Sequence, residues 1–121
     1  MWLAIAAINL ALAVCLGAFG AHGLKSRATA EQLVWWHTAT EYFFYHALGL
    51  LAVGILIKLL PSVSFKLPAS LLQLGIIIFC GSLYLMALGA PRWFGAITPL
   101  GGLAMIMGWL SLAVLIFRAN I

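Results

Sequence analysis

Four apolar runs, each long enough to cross a lipid bilayer and each closed by a polar, glycine- or proline-bearing break, constrain this chain more than any other feature. The hydrocarbon core is about 30 Å thick and a helix rises about 1.5 Å per residue, so about 20 apolar residues span it. Trp2 to Ala21 is the first such run, with Asn9 its only strongly polar member. It has neither the basic leading segment nor the short apolar core of a signal peptide, and is read as a span. Thr29 and Gln32 form a capping box, so a second helix starts near Ala30 and runs to Lys58. That is longer than a span needs, and its first turns, with Trp35 and Trp36, are placed at the interface, where tryptophans concentrate. Pro61 to Pro68 makes a turn, with Pro68 suited to the first position of the third helix. Thr98-Pro99 reads as N-cap and first position of the fourth. The expected spans are 2–22, 36–59, 69–89 and 98–118. They form an all-α, integral membrane four-helix bundle with short loops, helix two being extended by an interfacial turn. Residues 1–121 make a single transmembrane domain.

Composition agrees. Hydrophobic residues make up 66% and charged residues 7% of the 121 positions, against about 45–50% and about 25% in soluble domains. Small soluble folds bury the smallest share of their surface and cannot hide so much apolar area. The chain has no Asp, and Glu31 and Glu41 are its only acidic side chains. That removes a Ser-His-Asp triad, paired-Asp chemistry, EF-hand loops and Asp-based magnesium sites. The six basic residues stand singly at segment ends, which suits interface anchors and not nucleic acid. Cys15 and Cys80 lie in apolar runs without a partner motif and are read as small core residues.

Four spans put both termini on one side, with the 61–67 turn, and place residues 22–34 and 89–97 on the other. Basic residues divide evenly between the two sides, and the N-terminal amine tips the termini toward the cytoplasm. Ionisable residues inside a membrane are functional candidates because they are expensive there. Topology gathers His22, His37, Glu41, Tyr42, His46, Tyr84 and Thr98 toward the loop side opposite the termini. They are expected to face the bundle interior as a binding cluster. His37 and Glu41 share a helix face, which Tyr45 continues, and are expected to pair; Tyr42 and His46 share another. His46 also suits a hydrogen bond to a neighbouring helix, and His22 a C-terminal cap on the first. His22, His37, Glu41 and His46 are of metal-ligating types, but no spacing signature joins them. The sequence therefore predicts no metal and no cofactor.

Lipid gives no hydrophobic drive for helix association, so small residues should mark the contacts. Ala13, Gly17 and Ala21, Ala47 and Gly54, and Gly101, Ala104 and Gly108 form such stripes.

Gly17-Ala-Phe-Gly-Ala-His22-Gly-Leu24 resembles the N-terminal motif of the YgdD/YwdK family of uncharacterised small bacterial inner-membrane proteins. The likeness continues through Thr38-Ala39, Tyr42, His46-Ala-Leu48, Gly81-Ser-Leu-Tyr84, Ile97-Thr-Pro-Leu-Gly-Gly102 and Gly108-Trp109. Phe43 stands where that pattern has Gln, and Glu41 lies outside the motif. The resemblance implies a four-span protein of the bacterial inner (plasma) membrane. It favours His22, Tyr42, His46 and Tyr84 over Glu41, and it brings no activity, substrate or cofactor.

The sequence itself favours a protein that is not an enzyme: an accessory or lipid- or quinone-contacting module of a larger membrane assembly. Its partners are the bilayer and either such a complex or further copies of itself. The alternative is a small proton-coupled transporter working as a homo-oligomer. Four helices and one intramembrane Glu are similar to the small multidrug-resistance exporters, but their working glutamate lies in helix one, where this chain has none. A Glu41 held by His37 and water anchors and carries no protons.

Overall fold

The computed structural model describes residues 1–120. Four helices are long and apolar enough to cross a membrane. They are α1 (Trp2–His22), α2 (Ala30–Leu59), α3 (Lys66–Ala87) and α4 (Thr98–Ala119). Among the described residues there is no strand.

The helix ends follow local chemistry. The Thr29 hydroxyl accepts from the Gln32 amide N–H at 3.1 Å, and the Gln32 side chain accepts from the Thr29 N–H at 2.9 Å. This capping box satisfies two otherwise orphaned donors at the start of α2. Two other ends differ from expectation. α3 begins at Lys66, so Pro68 occupies its third position; its N–H would have been an orphan there too. A short 3₁₀ helix, Arg92–Ala96, precedes α4, and Ile97 is the cap. Thr98 is thus already helical and uses its hydroxyl elsewhere.

Helix α1 packs along α2, and α3 lies between α2 and α4. The contacts run over small residues. A Cβ at Gly54 would meet Leu3 inside 3 Å, and one at Gly108 would meet Leu72 at 2.9 Å. At Gly101 an added Cβ would overlap the backbone of Phe79, so α3 and α4 touch main chain to main chain there. That crossing sits on a π-helical turn in α3, Ile76–Cys80, flanked by α-helix on both sides. On α1 the buried positions are Ala6, Asn9, Ala13 and Gly20. Gly17 approaches Thr40 as expected, but Ala21 and Cys15 point outward.

Trp36 is corrected from interfacial anchor to core. It is 2% exposed, lies over Gly20 and donates its indole N–H to the Leu16 carbonyl at 2.8 Å. An indole can be buried only when its one donor has a partner, and α1 supplies it. Trp35 stays half-buried, with the Arg92 guanidinium 5.8 Å from its ring centre. Arg92 also pairs with Glu31 at 2.7 Å. These contacts tie the 3₁₀ segment to the head of α2.

Candidate functional site

The expected polar cluster does not assemble. His22, His37 and Glu41 are exposed on the protein surface. The reason is helical phase. Two positions along a helix turn a side chain by about 200°. His22 stands two beyond buried Gly20, and Glu41 stands between buried Ala39 and Phe43, so each points away from its packed face. His37 and Glu41 do not pair either: among the described residues the one ion pair is Arg92 with Glu31.

The remaining four candidates fall into three separate places. Tyr84, 8% exposed, has its hydroxyl 2.8 Å from Thr40 Oγ1. Thr40 in turn donates to the Trp36 carbonyl at 3.0 Å, so the Tyr84 O–H is the donor between them. The Trp36 ring lies edge-on to Tyr84, ring centres 4.4 Å apart. With the bond from Trp36 to Leu16, this network joins α1, α2 and α3.

Thr98 bonds Ser82 across the α3–α4 contact, and Ser82 passes its proton to the Phe79 carbonyl at 3.0 Å. The hydroxyls therefore close on a carbonyl of the π turn.

His46, 7% exposed, donates Nδ1–H to the Tyr42 carbonyl, 2.8 Å away and one turn back in its own helix. Its hydrogen bond does not reach a neighbouring helix, contrary to expectation. Its ring lies between those of Tyr42 and Trp109, each centre 5.9 Å away. Trp109 fits there because Gly49 leaves it room. Tyr42 itself is 39% exposed.

Among the described residues no buried polar side-chain atom lacks a hydrogen-bond partner, and no three His, Cys, Asp or Glu side chains come close enough to hold a metal. Every fully buried polar side-chain atom thus has a partner, in several cases a backbone carbonyl. Further polar side chains stand on the outside of α2. His37, Glu41 and Tyr45 follow each other at one-turn spacing on the outward face of α2, all exposed. A Cβ at Gly17 would stand 3.4 Å from Thr40, which sets Glu41 about 8 Å below the end of α1. Leu48, Ala52 and Ile55 continue the face toward the other end.

The sequence marks Asn9 only as the polar member of its run and does not mark Gln73, yet Asn9 donates its amide to Gln73 Oε1 across α1 and α3. The available signal was level. Each stands seven residues beyond the start of its helix at the same end of the bundle.

A family model described as "Protein of unknown function (DUF423)" matches residues 16–102. A UPF0382 membrane protein of Staphylococcus saprophyticus is 46% identical over 118 residues, 98% of either chain. The UPF0382 membrane protein YwdK of Bacillus subtilis is 44% identical over 115 residues, 94% of either chain. A UPF0382 membrane protein of Staphylococcus epidermidis is 44% identical over 114 residues, 94% of this chain and 93% of its own length. No solved structure matches.

Proposed function

Since the chain belongs to the DUF423 family of proteins of unknown function, whose UPF0382 relatives are membrane proteins, we propose that it is a non-catalytic four-span module of a larger assembly in the bacterial inner membrane. Its termini lie on the cytoplasmic side. The module docks through the outward face of α2. One observation carries this reading: Glu41 and Tyr45 are exposed on the outward face of α2 below the level where α1 ends, with His37 nearer that end, while every fully buried polar side-chain atom has a partner. A carboxylate in that zone is costly against lipid, and in membrane proteins such groups face protein or water. A neighbouring helix that offers a donor to Glu41 and an acceptor to Tyr45 removes the cost.

Co-purification from native membranes in mild detergent tests the proposal. The wild-type chain should elute with a stoichiometric membrane partner, a different protein or further copies of itself. Glu41→Leu with His37→Leu should elute alone while keeping its thermal stability. A wild-type chain that elutes as a free monomer from several mild detergents contradicts the reading.

A further inference from the structure

We infer that the cleft between α1 and α3 is a binding site for a quinone-class molecule, a planar ring bearing carbonyl or hydroxyl oxygens on an apolar tail. The cleft holds about 250 Å³. Its floor is buried Phe43 of α2, and its rim is exposed Leu12 and Ile77, so it opens sideways on the membrane-facing surface.

Two independent features make it more than a surface crease. The first is the amide pair. Asn9 is 6% exposed, and its bond to Gln73 uses one donor of Asn9 and the carbonyl oxygen of Gln73. Among the described residues the Asn9 carbonyl oxygen and the Gln73 amide nitrogen have no further partner. If both amides are turned over, the leftover pair is still one acceptor and one donor. Both side chains line the cleft. They lie about 10 Å in from the end of their helices, below the level of phospholipid ester groups and away from water.

The second feature is Gly81. It lines the cleft, its backbone is ordinary right-handed helix at φ −59°, and an added Cβ would meet nothing within 4 Å. A helical glycine is less stable than alanine there. Neither backbone angle nor packing within the chain requires one at this position. What glycine does at 81 is keep the cleft wide. Gly81 also begins the Gly-Ser-Leu-Tyr84 segment noted in the sequence, and the Tyr84 ring forms part of the same wall.

The leftover groups select the ligand. A quinone carbonyl accepts from the Gln73 amide, and a quinol hydroxyl donates to the Asn9 carbonyl. Either form is therefore held, and no redox step is assigned to the protein. Phe43 and Tyr84 give the cleft an aromatic lining suited to a ring. An acyl chain would leave both amide groups unmatched; a phospholipid ester, like the oxidised quinone, meets only the amide donor, so the planar ring against the aromatic lining favours the quinone over the ester, and the quinol alone engages both groups.

The inference rests on the preceding reading only in taking the chain as a binder and not a catalyst. It does not involve the α2 face, so either can fail alone. Native mass spectrometry of the purified full chain, with decylubiquinone as probe and phosphatidylglycerol as competitor, tests it. The wild type should retain one decylubiquinone in preference to the lipid. Gly81→Leu, which fills the cleft, should weaken retention about tenfold or more without lowering the melting temperature, and Gln73→Leu should weaken it by about the same factor, as expected for one lost hydrogen bond. If Gly81→Leu does not fold, Gly81→Ala should show a smaller loss in the same direction. Absence of retention by the wild type, equal retention by the folded Gly81 variant, or retention of phosphatidylglycerol alone would each overturn the assignment.

Discussion

The Tyr84 hydroxyl donates to Thr40, 2.8 Å away, and Thr40 donates onward to the Trp36 carbonyl. Two residues 44 positions apart thus share one proton chain between α3 and α2. Removing either end should weaken the bundle by about 0.6 kcal/mol and at most about 1.7 kcal/mol, the mean and the maximum measured for interhelical hydrogen bonds in a membrane protein. Tyr84→Phe and Thr40→Val combined should lose less than the sum of the two, because they break the same bond. Denaturant titration of the four proteins in mild micelles checks this; strictly additive losses would show that the bond contributes nothing.

Two glycines should respond in opposite directions to the same methyl group. At Gly101 the methyl overlaps the backbone of Phe79, so α3 and α4 must separate. Gly101→Ala should lower stability by about 1–3 kcal/mol, as overpacking does. At Gly81 the space is open, and Gly81→Ala should raise stability by up to about 1 kcal/mol through helix propensity. Thermal unfolding of the two variants side by side reads the signs.

His46 contributes by filling space between Tyr42 and Trp109, since its hydrogen bond stays within its own helix. His46→Ala should reduce stability by on the order of 1–2 kcal/mol. His46→Phe keeps a ring in place and should recover at least half of that. Recovery by Asn, which keeps a polar group but not the ring, would point to the hydrogen bond instead.

The Arg92–Glu31 pair is short, but both side chains are exposed. Arg92→Ala should therefore change stability by less than about 1 kcal/mol. The stacking of Arg92 over Trp35 gives a separate signature. The variant should shift tryptophan emission, measurable by steady-state fluorescence.

Much of the fold is legible in the sequence, because run length and capping chemistry are local. Thr29 and Gln32 announce the start of α2, and Gly54, Gly101 and Gly108 mark contacts that backbones do make. What the sequence hides is helical phase. In a soluble helix polar residues show which side faces out. Here lipid and core are both apolar, so nothing near His22, His37 or Glu41 told inside from outside. The candidate cluster failed for that reason. Trp36 hid in the same way, since a tryptophan near a helix end is as apt for an interface as for a core. The π turn at Ile76–Cys80 lies where Gly101 of another helix passes close, a long-range contact that no local pattern encodes. The Asn9–Gln73 pair was readable, but only by matching depths in two separate spans.

The proposed docking puts protein, not lipid, against the outward face of α2. Tyr45 on that face is 58% exposed, and Ile106 on the outside of α4 is 57% exposed, so the single chain offers them equally. A photoreactive phenylalanine placed at each position in turn, irradiated in intact membranes, compares what lies against them. A discrete protein adduct is expected from position 45, lost when Glu41→Leu and His37→Leu are added, and lipid adducts from position 106. Lipid adducts alone from position 45 would contradict it.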